Sequence, residues 1–478
     1  MCGFLATSSC VSPLVVRSVG TACAAVLALA PPAVASAPAA PAVAGGGRAG
    51  DAVAGSTRSL PLVPLGRERV LGAAPEQGLR RTGLARFALV GVVWDDPGSE
   101  LRGRVRVRTR SALTGEWTGW QDVETHTAGD GADPGTAERA ARGVRGATAP
   151  LWVGPSDGVD VRVRADGPDG DGPARNGRGA LPPGLRLELV DPGEDTGGPA
   201  AERTDGPGRA GTAGEAPAVG VAAGEPPYTE LDTEAAIAAS GANADIAAFG
   251  TTEIPELDGP ATVAELTKLQ GPVRGKPYIG PRPKIVTRRG WGADESLRER
   301  GFVYTKRIKA AFVHHTASGN KYTCAQAPSV IRGIYRYHVK SMGWRDIGYN
   351  FLVDKCGTLY EGRAGGVAKA VLGAHTLGFN TDSMGVAVLG TYGTTRPPGA
   401  AVTAVARLAA WKLGLYGADP RAKTSLTSGG SDLYPKGKNV RLNVLSGHRD
   451  GVATECPGRL LYAQLGTARA DAARYQGR

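Results

Sequence analysis

The chain has 478 residues, 41% of them hydrophobic, and a formal net charge of +11. That length predicts two or three domains rather than one. Beyond the amino terminus no run of about 20 apolar residues occurs, which argues against a membrane-spanning anchor in the mature chain, and the positive balance favours an anionic partner.

Residues 1–35 read as an export signal. Arg17 precedes the apolar run Val19 to Ala30, too short to span a bilayer, and Ala33-Val34-Ala35 supplies a small-x-small cleavage site. Residues 36–79 form a low-complexity segment. From 80 to 193 short strands are expected: Phe87 to Trp94, the alternating Arg104 to Arg108, Val159 to Arg164 and Leu185 to Val190, with Gly, Pro and Asp between them. This pattern predicts an all-β, sandwich-like domain. Its four tryptophans, Trp94, Trp117, Trp120 and Trp152, are expected in the core, and the arginine stripe on a solvated face.

Residues 194–281 are rich in Gly, Ala, Pro and Glu and read as a disordered linker. Thr233 to Ala248 and Ala261 to Gln270 are expected as short helices docked on a neighbour. The last domain, 282–478, carries 30 basic and 12 acidic residues, a charge of +18 that the rest of the chain only partly offsets. It alternates strands (308–316, 348–354, 358–362, 385–389) with helices (329–342, 400–416), predicting an α/β layer. His338 shares the apolar face of Ile331, Ile334 and Tyr335 and is expected as a core histidine. The stretch 422–438 is expected as an exposed hairpin at a groove rim.

Five of the six histidines lie in this domain. His448 and Cys456 stand eight residues apart, on a strand end (Val440 to Ser446) that runs into a Gly/Pro-bounded loop. Imidazole and thiolate together suit zinc, but two ligands leave the site incomplete. His314 and His315 end an apolar strand and point to opposite faces, so only one of them can join the site. Strand alternation leaves the choice between the two open.

Five motifs in order carry a resemblance: His314-His315-Thr316-Ala317, Trp344 to Leu352, Tyr360-Glu361-Gly362-Arg363, Gly373-Ala374-His375-Thr376, and His448-Arg449-Asp450 with Thr454 to Gly458. Together with Arg289-Gly290-Trp291-Gly292-Ala293 they resemble the zinc-dependent N-acetylmuramoyl-L-alanine amidases that share a fold with peptidoglycan recognition proteins. The resemblance implies a mixed central sheet flanked by helices, with a zinc groove over the sheet. It implies His314, His448 and Cys456 as zinc ligands, with His315 the alternative to His314, and a fourth position left for water. Tyr349 and Thr454 would be catalytic, orienting the nucleophile or donating to the oxyanion. His375, Asn380 and Arg363 would contact the muramyl peptide, and Glu455 and Glu361 are weaker candidates for a base.

With Cys2, Cys10 and Cys23 lost in the leader, Cys324 and Cys356 are expected to pair and Cys456 to stay free; pairing of Cys456 with either would remove the metal thiolate. The implied protein is a secreted, monomeric hydrolase at the cell wall. Its partner is peptidoglycan, with anionic wall polymers in second place, and export argues against nucleic acid. The alternatives are a non-catalytic peptidoglycan-binding protein and a structural zinc domain whose fourth position another side chain closes.

Overall fold

The computed structural model describes residues 55–65, 74–127, 129–166, 180–193, 233–272 and 275–478. The expected leader, residues 36–54 and the linker stretch 194–232 lie outside the described residues.

The amino-terminal part is one branched nine-stranded sheet that folds over on itself. Its strands are β1 (Ser56–Pro61), β2 (Val63–Pro64), β3 (Glu76–Arg81), β4 (Phe87–Trp94), β5 (Gly103–Ser111), β6 (Gln121–Val123), β7 (Gly146–Ala147), β8 (Leu151–Ala165) and β9 (Arg186–Asp191). The long strand β8 makes the bend. Its first residues, through Ser156, pair with β4; β5 pairs with it from Ser156 onward and β3 from Val159 onward. Valines of β5 and β8 meet Val90, Val92, Leu187 and Leu189 in a shared core, so the alternation at Arg104 to Arg108 is the pattern of a strand buried on one face.

Three sequence expectations need correction here. Strands β1, β2 and most of β3 lie inside the segment 36–79 read as low complexity; β1 is an edge strand, mostly exposed, so it lacks an apolar signature. Trp94 and Trp152 are buried, but Trp117 and Trp120 are half-exposed, lying beneath the guanidinium groups of Arg80, Arg106, Arg108 and Arg162. Cation–π contact with the arginine stripe, rather than core burial, holds these two rings. Finally, residues 233–281 are not a free linker.

Those residues carry α1 (Glu234–Gly241), β10 (Glu253–Ile254) and α2 (Gly259–Gln270). Thr233 and Asp258 cap the two helices. Ile254 and Leu266 enter the core of the following domain, and Asn243 Nδ2 donates to both oxygens of Glu361 at 3.0 Å.

The carboxy-terminal part is built on a seven-stranded mixed sheet, ordered β10, β11 (Ile285–Val286), β14 (Leu359–Glu361), β13 (Phe351–Val353), β15 (Ser383–Val388), β12 (Ala310–His315) and β18 (Leu445–Gly447). On one face α4 (Gly399–Gly414) and α6 (Leu465–Tyr475), which follows the short α5 (Arg459–Tyr462), cover Ala311, Val313, Val386 and Val388. On the other face lies α3 (Ala327–Arg336), which continues as a π-helical turn through Ser341. The expected strand Val440 to Ser446 is broken at Val444. Its first half is β17 (Asn439–Asn443), which pairs with β16 (Lys423–Thr427) in a separate hairpin, and its second half is β18 of the main sheet.

The two parts share a core. All eight residues of β4 are buried, because one face fills the β core while Leu89 and Val93 pack with Val330, Ile331, Ile334 and Tyr337 of the α3 segment. At Gly91 an added Cβ would sit 2.3 Å from the Tyr337 hydroxyl, so glycine allows this close approach. Among the described residues no helix is long and apolar enough to cross a membrane.

Candidate functional site

The site grows from the carboxyl ends of β12 and β18. Parallel pairing sets Ala311 of β12 opposite Leu445 and Val313 opposite Gly447, so both strands deliver a histidine at the same end of the sheet. His314 and His315 then diverge. His315 faces the α4 side, where its Nδ1 accepts from the backbone N–H of Tyr392 at 3.2 Å. His314 faces the α3 side, and there it meets His448 and Cys456. One donor atom from each of these three lies within 4.8 Å of the others.

Hydrogen bonding selects the donor atoms. Nε2 of His448 lies 3.1 Å from the carbonyl of Gly129. A carbonyl only accepts, so this nitrogen carries the proton and Nδ1 keeps its lone pair. That Nδ1 is buried without a hydrogen-bond partner. In His314, Nδ1 lies 3.7 Å from Cys456 Sγ and Nε2 lies 3.4 Å from Thr376 Oγ1. A backbone carbonyl and a threonine hydroxyl thus occupy the positions from which metal-binding imidazoles are normally oriented.

Burial, and then the neighbouring histidines, hold His314 well below the usual imidazole range; burial lowers His448 to about 3. Both rings are neutral at physiological pH, as metal ligands must be. Burial, and then Asp130, raise the Cys456 thiol, so a divalent cation is what would favour its thiolate. Two neutral imidazoles and one thiol with an orphaned nitrogen fit zinc in donor type.

Tyr349 stands beside the cluster, its ring centroid 5.3 Å from that of His314. Burial raises its pKa well above the usual value, first of all its causes, so its phenol stays a proton donor. Thr454 is half-buried; its Oγ1 accepts from Cys456 N at 3.2 Å and donates to the His126 carbonyl at 3.4 Å. Glu361 sits on β14, three strands from β12, held by Asn243 and the backbone N–H of Arg288. Glu455 is exposed.

The three residues expected to line the groove are all buried and engaged. His375 packs beneath His314 with ring centroids 5.3 Å apart, and its Nδ1 lies 3.0 Å from Thr376 Oγ1. Asn380 Nδ2 donates to Asp133 at 2.6 Å. Arg363 makes a two-pronged pair with Glu138, at 2.9 and 2.7 Å. Asp133 and Glu138 belong to the β domain and went unnoticed in the sequence, where nothing in their surroundings separates them from ordinary loop acids.

His338 accepts from Gly348 N through Nδ1 and stacks on Trp344, as a core histidine. Cys324 and Cys356 form a disulfide with Cα atoms 6.2 Å apart, and Cys456 is free. The hairpin β16–β17 reaches the site's edge, where Gly429 N donates to Gly378 O at 2.7 Å.

Known proteins resemble both parts. A family model described as N-acetylmuramoyl-L-alanine amidase matches residues 304–459, and one described as Rv3811 N-terminal galactose-binding domain-like matches residues 40–183. Peptidoglycan-recognition protein SC2 of Drosophila simulans is 33% identical over 183 residues, covering 38% of this chain and 85% of that protein. The N-acetylmuramoyl-L-alanine amidase of Homo sapiens is 33% identical over 187 residues, covering 39% of this chain and 28% of that protein. The solved structure of Drosophila PGRP-LB aligns with a TM-score of 0.30 at 26% identity, covering 38% of this chain and 92% of that one. With a galactose-binding-like domain in front and a helix-flanked sheet behind, the chain belongs to the family of peptidoglycan-recognition proteins and N-acetylmuramoyl-L-alanine amidases.

Proposed function

We propose that this protein is a zinc-dependent N-acetylmuramoyl-L-alanine amidase, exported to the cell wall, that hydrolyses the amide between N-acetylmuramic acid and L-alanine in peptidoglycan. The observation that carries the reading is the convergence of His314, His448 and Cys456 within 4.8 Å beside the buried phenol of Tyr349.

In this reading His314 through Nδ1, His448 through Nδ1 and Cys456 through Sγ hold the metal. Zinc, when bound, supplies the Lewis acidity for attack of water on the amide carbonyl. Thr376 fixes the His314 imidazole, and the Gly129 carbonyl sets the tautomer of His448 in the chain as folded. Tyr349 keeps its proton and presents it as a hydrogen bond toward the developing oxyanion. Thr454 offers a hydroxyl beside Cys456, without the charge that a lysine would bring. His375, Asn380 and Arg363 form the floor on which a muramyl peptide would rest, with Arg363 suited to a stem carboxylate. Anionic wall polymers fit the +18 charge of residues 282–478.

Digestion of purified peptidoglycan, with mass analysis of the new ends, tests the proposal. Free L-alanine amino termini should appear, and should be lost with chelator, with Cys456→Ser and, largely, with Tyr349→Phe. Metal analysis should find one zinc per chain, absent from Cys456→Ser. Zinc-free protein that binds peptidoglycan without new ends would instead establish a recognition protein.

A further inference from the structure

The groove described above is occupied by the protein itself. Between β6 and β7 the β domain sends out residues 124–145, whose described residues contain no helix or strand. Structureless loops of this length are uncommon in compact domains and generally functional. This one crosses the mouth of the site and makes polar contacts with it in sequence.

The Gly129 carbonyl accepts from His448 Nε2 at 3.1 Å and from Leu377 N at 2.8 Å. Asp130 Oδ1 stands 3.6 Å from His448 Nδ1, the orphaned nitrogen of the cluster. Asp133 accepts from Gly378 N at 2.8 Å and from Asn380 Nδ2. Glu138 closes on Arg363, both side chains 8% exposed. Three carboxylates therefore meet, in order, the metal cluster, the groove asparagine and the groove arginine.

Asp130 has a further peculiarity. Among the described residues no lysine or arginine lies within 4 Å of its carboxylate, whose ionic neighbour is the neutral His448. The carboxylate lies outside the set of donor atoms within 4.8 Å of one another, but 3.6 Å from His448 Nδ1 and with no protein cation near it is placed to reach a divalent ion held by that set. The loop also presents carboxylates to residues suited to bind the carboxylates of a stem peptide.

We propose that residues 124–145 are an intramolecular stopper, in which Asp130 supplies a fourth protein ligand to the metal while Asp133 and Glu138 take the places of substrate carboxylates. A muramyl peptide can enter only when the stopper is open, so turnover by the parent chain runs through its small open fraction. The proposal rests on the amidase reading and assigns that site its regulation.

Cobalt-substituted full chain provides the test, with azide as a small probe of the open metal position and muramyl dipeptide as a probe of the groove. In the parent protein azide should leave the visible cobalt bands unchanged. In Asp130→Ala it should shift them saturably, because a coordination position has been opened. The pair Asp133→Ala with Glu138→Ala leaves every metal ligand in place and loosens only the arm. It should bind muramyl dipeptide at least ~10-fold more tightly than the parent, the gain expected if less than about a tenth of parent molecules are open.

Azide shifting the parent bands as readily as those of Asp130→Ala would overturn the fourth ligand. Equal muramyl dipeptide affinity in parent and paired variant would overturn the stopper. Either result with one cobalt per chain leaves the amidase reading standing, whereas chains that hold no metal, parent and variants alike, overturn both.

Discussion

The two faces of the central sheet are closed by different means. The face carrying Ala311, Val313 and His315 is sealed by α4 and α6, helices of the same domain, in an apolar core in which His315 merely accepts one backbone hydrogen bond. The face carrying Phe312 and His314 is closed by α3, by the β domain, by the arm 124–145 and, over Phe312, by the β16–β17 hairpin, and around His314 the neighbours are imidazoles, a thiol, a phenol and a carboxylate. Consecutive residues of one strand therefore have opposite duties. A face closed by its own domain is free to be apolar, whereas one closed by a separate part can be uncovered and can hold groups that need exposure to work.

The largest expected effect lies on the first face. Trp411 is wholly buried in α4, and Trp411→Ala should lower unfolding stability by about 3–5 kcal/mol in a denaturant titration. The fraction still folded should keep its full complement of metal; loss of metal in step with stability would show the two faces to be coupled. Next comes the junction. Gly91→Val drives a side chain into the Tyr337 ring, and overpacking of this kind should cost about 1–3 kcal/mol. Because the strain falls between the two parts, hydrogen exchange in 124–145 should rise before exchange in α4. Uniform acceleration would mean that the two faces open together.

The first face was easier to read from sequence than the second. Alternation in β12, the apolar helix around Trp411 and the His and Cys motifs are local patterns, and they located the sheet, its helices and the side chains that converge at His314, His448 and Cys456. The choice between His314 and His315 needed the neighbours of both faces, since period-two alternation is indifferent to which side is called inside. The arm escaped altogether. Glu138 meets a partner 225 residues away and Gly129 one 319 residues away, and loop chemistry has no periodicity from which such pairings follow. Strand β1 escaped because edge pairing with β9 uses its backbone, leaving its side chains polar. Trp117 and Trp120 misled because an aromatic ring under arginines has the same letters around it as one in a core.

A smaller effect separates the site's support from its packing. Thr376 Oγ1 lies against both His314 Nε2 and His375 Nδ1. Thr376→Val keeps the shape and removes the hydrogen bond, so zinc affinity measured against a competing chelator should fall ~10-fold or more, with little change in unfolding midpoint. Unchanged affinity would mean that burial alone orients the His314 ring.

The smallest expected change concerns the joint itself. The Tyr337 hydroxyl donates to the Thr148 carbonyl at 3.1 Å, across the boundary between α3 and the β domain. Tyr337→Phe removes that bond while the ring still fills the space beside Gly91, so the loss should be about 0.5–1.5 kcal/mol. If the β domain is a separable cover, this loss should appear as earlier exposure of the metal site, read as faster chelator extraction of zinc, while the main unfolding transition stays put. If the main transition moves instead and extraction does not, the cover and the sheet unfold as one body, and the second face is sealed as permanently as the first.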